Sequence, residues 1–383
     1  MSGKPFGDNN NQKKQDIAVS LNINLFLMFG VTLMAVMGVS SIAPVFPRIM
    51  KELHLSKMEV GMLISFFTVP GVIFSLFFGI LADRLGRKTV LIPSLILFGI
   101  AGGTCAFVRD FHILLLLRFF QGVGAAALGT LSPTILSDLY SGKNRTVVMG
   151  YNASVLNVGT ASYPAIGGAV AAFGWYYPFL LPLTAIPLGI AILLFLENPE
   201  PKDHRTISEY MHGTLKSIMK KQVIGIFIVG AISFFVLYGS YLMFFPIVLD
   251  TSFDSSPFVI GMIMSLTSIT AALTASQIKH LVKRYDEKIL LRAGFILYAL
   301  AMVIVPFLGS IWQFVFPTML YGVGIGINIP CITSILASLA PFEHRAAFLS
   351  INSMMLRVGQ TMGPLLMGLI AGIGGTTGVF FAG

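Results

Sequence analysis

Two arginines lie deep inside long apolar stretches of the sequence, where a charged side chain is energetically unfavourable. Arg118 lies about seven residues into one apolar run, and Arg357 about eleven residues into another. A guanidinium stays protonated under all ordinary conditions, so neither residue can act as a proton carrier. Each can hold an anion or change the ionisation of a neighbouring acid. A charged residue at such a depth is a candidate functional residue.

The elements that carry these arginines are predicted to be membrane helices. Of the 383 residues, 55% are hydrophobic and only 11% are charged, whereas soluble domains contain about 25% charged residues. A helix needs about 20 apolar residues to cross the hydrocarbon core. Eleven runs meet that length: 23–46, 60–82, 89–108, 111–137, 146–172, 175–196, 223–249, 257–279, 289–309, 311–339 and 346–372. The stretch 376–383 is predicted to begin a twelfth helix, which favours a truncated chain over an odd number of spans.

The distribution of basic residues predicts the orientation. With the N-terminus placed inside the cell, eighteen Lys and Arg fall on the inner side, four on the outer side and three within spans. This asymmetry predicts a cytoplasmic N-terminus and explains the net charge of +9 without nucleic acid. Cys105 and Cys331 lie in apolar runs and are interpreted as packing residues. Neither a metal nor another cofactor is expected.

The two halves of the chain repeat each other at an offset of 200 residues. Between positions 118 and 168, 13 of 51 residues recur 200 positions later, among them Gly122, Arg145, Asn152 and Pro164. Residues 145 and 345 both begin odd-numbered spans, so the repeat unit is six helices in the same orientation. The predicted fold is all-α: residues 1–22 form a cytoplasmic tail, 23–197 a six-helix bundle, 198–222 a cytoplasmic linker, and 223–383 a second bundle with helices 7–11 and the start of helix 12.

The turn between the second and third runs reads Gly79-Ile80-Leu81-Ala82-Asp83-Arg84-Leu85-Gly86-Arg87-Lys88. It resembles the G-x-L-A-D-R-x-G-R-K loop of the major facilitator superfamily, at the place where that family carries it. The resemblance implies a charged cluster that latches the cytoplasmic face closed in the outward-open state. An ordinary positive loop with a capping Asp is the alternative. The cluster comprises Gly79, Asp83, Arg84, Gly86 and Arg87, extended by Asp138 and Arg145. At the equivalent place in the second half, Lys283 replaces the acid, which predicts a one-sided latch.

Two further motifs resemble patterns of proton-coupled exporters in this superfamily. Residues 118–125 are similar to R-x-x-Q-G-x-G-A, which implies a role for Arg118 and Gln121 in proton transfer. The fifth run is similar to the antiporter motif G-x8-G-x3-G-P-x2-G-G, with Tyr163 in place of one glycine. The small residues of this motif are expected to pack helix five closely against helix eight, and they are Gly150, Gly159, Pro164, Gly167 and Gly168. Generic small-residue packing is the alternative.

A substrate cavity is expected between the bundles, lined in this superfamily by helices one, four, seven and ten. Tyr238, Tyr241 and Phe245 are spaced i, i+3 and i+7, which predicts one aromatic face of helix seven. Arg357 and its repeat mate Asn157 are predicted to face each other across the pseudo-twofold axis. Arg118, Gln121, Tyr321, Asn328 and Asn352 complete the predicted substrate and coupling set.

The resemblance implies a secondary transporter, similar to the twelve-helix drug:proton antiporters and metabolite exporters. The expected partners are a small-molecule substrate, protons and the lipid bilayer, and the expected form is a monomer in a bacterial or archaeal inner (plasma) membrane. The alternative is an anion or metabolite exchanger or uniporter that uses Arg118 and Arg357 without proton coupling, because no Asp or Glu lies deep in a span. A sensor or scaffold on the same fold stays open. The spans contain no paired carboxylates and no nucleophile–base set, so an enzyme is not expected.

Overall fold

The computed structural model describes residues 22–196, 220–340 and 345–383, and the predicted tail 1–22 and linker 198–222 lie almost wholly outside them. Eleven long helices follow one another in these residues, and no strand is found there. The helices are α1 (Ile23–Glu52), α2 (Lys57–Leu85), α3 (Arg87–Phe107), α4 (Phe111–Leu139), α5 (Gly142–Val170), α6 (Tyr177–Phe195), α7 (Lys221–Phe253), α8 (Pro257–Val282), α9 (Glu287–Phe307), α10 (Ile311–Leu339) and α11 (Arg345–Ala382).

Ten of these described helices are long and apolar enough to cross a membrane. The eleventh, α5, has 29 residues and a length of about 43 Å at 1.5 Å per residue. It is less hydrophobic because Gly, Asn, Ser and Thr recur along it. Its length and its place among the other helices agree with the fifth predicted span, 146–172. The all-α membrane fold expected from the sequence is confirmed.

Short polar caps define where several helices begin. Ser56 and Glu59 form a capping box at the start of α2: the Glu59 amide donates to Ser56 Oγ at 3.3 Å, and the Ser56 amide donates to Glu59 Oε2 at 2.7 Å. Asp110 accepts a hydrogen bond from the Ile113 amide at 2.9 Å at the start of α4. Such caps satisfy amides that have no partner within the helix. They fix the ends of helices that hydrophobicity alone would leave undefined.

Two glycines reverse the chain where a side chain would be strained. Gly86 has φ +96° and forms the whole connection between α2 and α3. Gly375 has φ +65° and interrupts α11, so that residues after it form a separate helical piece. Val379 and Phe380 in that piece are buried, and the Phe381 ring lies 6.2 Å from the Phe307 ring of α9. Residues 376–382 therefore form a short helix after the break at Gly375.

The helices pack as two groups, α1–α6 and α7–α11. The two groups contact each other where α2 packs against α11 and where α5 packs against α8. The last part of α1, Ala43–Glu52, also contacts α7 and α8. We call the face that carries the Asp83–Lys88 turn the turn face, and the face that carries the Leu53–Ser56 turn the far face. The grouping agrees with the six-helix repeat found in the sequence.

Candidate functional site

A cavity of about 250 Å³ lies between the two groups of helices. Helices α1, α2, α4 and α5 line it from one group, and α7 and α11 from the other. The lining residues are Ala35, Val36, Val39, Phe67, Thr68, Gly122, Ala125, Gly129, Leu156, Phe234, Tyr238, Ser353, Leu356, Arg357 and Gln360. Ligand pockets usually have volumes of about 300–1,000 Å³, so this one suits a small organic molecule or part of a larger one.

Polar contacts join the two groups between this cavity and the far face. Ser65 Oγ donates to the Thr361 carbonyl at 2.8 Å, and the Thr361 hydroxyl donates to Thr68 Oγ1 at 2.9 Å, which connects α2 with α11. Ser268 Oγ donates to the Thr160 carbonyl at 3.1 Å, which connects α8 with α5. Lys51 Nζ lies 2.7 Å from Asp250 Oδ2, which connects α1 with α7. These contacts close the cavity toward the far face.

The small residues of helix α5 allow close approach on the same side of the cavity. A Cβ atom added to Gly168 would lie 2.8 Å from the Pro257 carbonyl carbon of α8, and one added to Gly167 would lie 2.6 Å from the corresponding atom of Ser41 on α1. On α8, a Cβ on Gly261 would lie 2.7 Å from the Pro164 carbonyl carbon. Backbones therefore touch directly at these positions.

The other two glycines of the motif have different surroundings. A Cβ on Gly159 would meet Leu33 of α1 at 2.9 Å, whereas a Cβ on Gly150 would meet nothing within 4 Å. Gly150 lies eight residues after the start of α5 at the turn face, and its surroundings leave room for a side chain. The close α5–α8 contact that the motif predicts is present around Pro164 and Gly168 and is absent around Gly150.

The charged cluster at the turn face centres on Arg87. Its guanidinium forms an ion pair with Asp83, and Nε lies 3.1 Å from Asp138 Oδ2 of α4. Arg87 is 8% exposed, whereas Arg84 and Arg145 are exposed. The predicted latch residues thus come together within α2, α3 and α4, while Arg84 and Arg145 point to solvent. Gly79 is near Thr130 of α4 and Gly86 forms the turn.

Arg118 is fully buried and borders no part of the cavity. Its Nη1 atom donates to the Gly38 carbonyl at 2.9 Å and to Gln121 Oε1 at 2.7 Å, and its Nε donates to the Leu63 carbonyl at 3.2 Å. The guanidinium carbon lies 4.4 Å from the centre of the Phe67 ring. Backbone dipoles and a ring face therefore hold this charge. The role predicted for Arg118 and Gln121 in coupling receives no support from contact with the cavity.

The aromatic face predicted for helix seven needs correction. Tyr238 lines the cavity, but Tyr241 is 2% exposed and stacks on Tyr321 with ring centres 4.9 Å apart. Phe245 is equally buried against Phe314 of α10, at 5.4 Å. The reason is that Leu237–Phe244 form a π-helix. Its wider turn changes the rotation between successive residues, so the i, i+3, i+7 spacing no longer marks one face.

Other predicted contacts also lie away from the cavity. Tyr321 and Asn328 on α10 are fully buried inside the second group, and Asn328 faces Gly294 of α9. Asn352 is 6% exposed and lies beside Gly230 of α7. Asn157 is exposed on α5 and is absent from the cavity lining. Of the four helices expected to line the cavity, α1, α4 and α7 do so, together with α2, α5 and α11. No described residue of α10 lines it, because α10 packs inside its own group.

The sequence reasoning missed several residues that the structure places at the cavity or the seal. Asp250 is 7% exposed, the only buried carboxylate among the described residues. Asp250 directly follows the predicted span 223–249, so hydrophobicity gives no reason to expect it to be buried. Phe67, Thr68 and Phe234 also line the cavity. No local pattern distinguishes them from residues that face lipid.

A cavity between two groups of membrane helices, sealed at one face by polar and glycine contacts, is the arrangement of a membrane transporter of the two-bundle type. A family model described as Major Facilitator Superfamily matches residues 28–256 and 226–383. The chain belongs to the Major Facilitator Superfamily, and it is a transporter, not an enzyme.

Curated relatives and solved structures agree with this assignment. Multidrug resistance protein 1 of Bacillus subtilis (strain 168) is 26% identical over 373 residues, which cover 97% of this chain and 94% of that protein. The bacillibactin exporter of the same strain is 25% identical (89% and 88% covered). The quinolone resistance protein NorA of Staphylococcus aureus is 24% identical (91% and 88% covered).

Among solved structures, a bacterial homolog of the human lysosomal transporter Spinster superposes with a TM-score of 0.81 at 17% identity, covering 91% of this chain and 82% of that one. The nucleoside transporter NupG superposes with a TM-score of 0.78 at 14% identity, covering 94% and 95%. At these identities the superpositions show the fold that the proteins share.

Proposed function

We propose that this protein is a secondary active exporter that moves a small organic molecule across a bacterial plasma membrane by alternating access. The observation that carries the proposal is the cavity between the two groups of helices, closed toward the far face by contacts of α1, α2 and α5 with α7, α8 and α11. Rocking of one group against the other would open that seal and close the turn face. The names of the three relatives, all resistance or export proteins, support the direction.

The basic residues support an orientation with the turn face in the cytoplasm. Among the described residues, those near this face are Arg84, Arg87, Lys88, Arg145, Lys220, Lys221, Lys279, Lys283, Arg284 and Lys288. An excess of Lys and Arg in cytoplasmic loops is the general rule. The described conformation is then the inward-open one. Helix α1 begins at Ile23 on this face, so its first residue is then on the cytoplasmic side.

The charged cluster around Arg87 fits the proposed cycle as a latch used in the other state. Among the described residues, Asp83 and Asp138 form ion pairs with Arg87, inside the first group. When the turn face closes, the approach of α8 and α11 brings new helix ends to these charges. The exposed Arg84 and Arg145 are then available to the second group.

Proton antiport is the driving force that the antiporter-motif packing of α5 against α8 supports. Close backbone contact at Gly168 and Pro164 excludes water from the seal, and a seal of this kind limits uncoupled leakage. A second candidate is anion or metabolite exchange without proton coupling. The observation that favours it is that Arg357 lines the cavity, while none of the carboxylates in the described part of the chain does.

Transport in proteoliposomes separates these candidates. Norfloxacin is a suitable probe because one relative is named for quinolone resistance. Proton antiport predicts that norfloxacin accumulates in proteoliposomes with an acidic interior, because protons leave down their gradient as the drug enters. A protonophore should abolish this accumulation. Exchange of preloaded norfloxacin with no response to the gradient would support the second candidate. The absence of flux for both norfloxacin and simple organic anions would contradict the transport proposal.

A further inference from the structure

Among the described residues that line the central cavity, Arg357 is the only one with a charged side chain. It lies 12 residues into α11, which corresponds to a depth of about 18 Å at 1.5 Å per residue. No described residue forms an ion pair or a hydrogen bond with its guanidinium. This contrasts with Arg118, whose nitrogens donate to two carbonyls and a side-chain oxygen, and with Arg87, which has two carboxylate partners.

The guanidinium reaches from α11 into a notch formed by two glycines of the other group of helices. A Cβ atom added to Gly71 on α2 would overlap Nη1 of Arg357, and one added to Gly129 on α4 would lie 2.9 Å from Nη2. Any larger residue at either position would displace the guanidinium. Gly71 and Gly129 therefore leave space for this one side chain, and Arg357 touches both groups at once.

The surroundings of the notch are polar on one side and aromatic on the other. Thr68 and Gln360 supply hydroxyl and amide groups to the cavity lining, and the rings of Phe67, Phe234 and Tyr238 supply the apolar wall. A planar guanidinium presents N–H donors in pairs that match the two oxygens of a carboxylate. Arg357 is partly buried and no described residue neutralises its charge, so an anion that pairs with it is favoured and a cation is repelled.

We propose that the substrates of this cavity are organic anions: small molecules with one carboxylate or similar oxyanion, which Arg357 binds, and an aromatic or aliphatic body, which lies against the rings. Gly71 and Gly129 are the positions that determine specificity, because they hold the guanidinium in the cavity. The inference rests on the proposed transport function. It does not depend on whether protons drive transport.

Three probes with the same ring and different charge test the substrate class: 1-naphthoate, 1-naphthylmethanol and 1-naphthylmethylamine. The measurements are counterflow in proteoliposomes and the ligand-dependent rise in Tm of the full chain. We expect naphthoate to bind at least about tenfold more tightly than the alcohol, because a hydrogen-bonded charged pair contributes that much, and the amine to bind most weakly. Equal or tighter binding of the amine, or displacement of naphthoate by chloride at equal concentration, would overturn the inference.

Variants then assign the preference to the notch. Arg357→Gln should lose the preference for naphthoate and retain binding of naphthylmethanol, which also shows that the variant is folded. Gly71→Ala and Gly129→Ala should reduce naphthoate binding toward that of the alcohol, because the added methyl group displaces the guanidinium of Arg357. Both variants should still fold, since only the end of a flexible side chain must move. Matched controls are Arg292→Gln, an exposed arginine on α9, and Gly225→Ala, where a Cβ meets nothing within 4 Å.

These outcomes separate two kinds of failure. If no probe shows flux in the wild type, the transport proposal fails. If flux occurs and Arg357→Gln leaves the ratio of naphthoate to alcohol affinity unchanged, the transport proposal stands and the assignment of the anion site is wrong.

Discussion

The Nζ atom of Lys51 on α1 lies 2.7 Å from Oδ2 of Asp250 on α7, and this ion pair joins the two groups of helices at the far face. Of the ion pairs formed by described residues, it is the only one that connects the groups. The Asp250 side chain is 8% exposed and the Lys51 side chain 55% exposed. Separation of the groups would leave both charges free to be hydrated, so the pair favours closure without preventing opening.

Asp250→Asn should therefore shift the protein toward opening at the far face. Because Lys51 is half exposed, solvent screens the pair, and we expect a contribution of about 1 kcal/mol, or about fivefold in the ratio of closed to open protein. The labelling rate of a cysteine at Thr68, in the sealed part of the cavity, by a membrane-impermeant thiol reagent from the far face measures this shift. The reversed pair Lys51→Asp with Asp250→Lys should restore slow labelling. A labelling rate unchanged in Asp250→Asn would show that the ion pair does not hold the seal.

Two glycines of the same α5 motif should respond oppositely to alanine. In Gly168→Ala the new methyl group would lie 2.8 Å from the Pro257 carbonyl carbon, and overpacking of this kind destabilises by about 1–3 kcal/mol. Gly150→Ala meets open space and should be neutral or stabilise by up to about 1 kcal/mol through helix propensity. Thermal unfolding in detergent compares the two. Equal Tm values would contradict the close contact at Gly168.

Arg87 and Arg84 form a matched pair of variants at the turn face. Arg87→Gln removes the partner of both Asp83 and Asp138, and we expect a loss of about 1 kcal/mol or more, since Arg87 itself is buried and the two acids are partly exposed. Arg84→Gln should change stability by less than about 0.5 kcal/mol, as is usual for an exposed residue. Tm values of the two variants test this difference. A loss in Arg84→Gln as large as that in Arg87→Gln would argue against the central place of Arg87.

Tyr238 and Tyr321 should separate substrate binding from folding. Tyr238→Ala removes a ring from the cavity wall and should weaken naphthoate binding with little change in Tm. Tyr321→Ala removes a ring stacked on Tyr241 and Tyr298 inside the second group, and it should lower stability by about 3 kcal/mol or more while naphthoate affinity per folded molecule is unchanged. If Tyr321→Ala weakened naphthoate binding and Tyr238→Ala lowered only stability, the assignment of Tyr238 to the cavity wall would be wrong.

The sequence predicted the helices well because long apolar runs leave few alternatives in a membrane. Their ends are less certain from hydrophobicity alone: α1 continues to Glu52, six residues beyond the predicted span. The proximity of Asp83 and Arg87 was also predictable, since one short turn connects them. The addition of Asp138, which lies on α4, depended on the resemblance to the family. Gly86, whose positive φ forms that turn, was singled out for the same reason.

What each helix presents to the cavity was harder to predict. The π-helix at Leu237–Phe244 rotates Tyr241 and Phe245 away from the cavity, and periodicity assumes a regular α-helix. The pairing of Lys51 with Asp250 depends on which face of the protein is closed, and this conformational fact is not encoded in spacing. The notch at Gly71 and Gly129 requires the relative position of α2, α4 and α11, for which the 200-residue repeat offers no guide.

The central claim is that closure alternates between the two faces, and paired distance measurements test it most directly. Spin labels at Glu52 and Ser252 report on the far face, and labels at Leu85 and Lys283 on the turn face; all four residues are exposed, and Cys105 and Cys331 would first be replaced by Ala. During naphthoate transport in nanodiscs or proteoliposomes, the account predicts a second population in which the Glu52–Ser252 distance is longer and the Leu85–Lys283 distance is shorter. If the two distances lengthen together, or if neither changes while transport proceeds, alternating access between these two groups of helices is wrong.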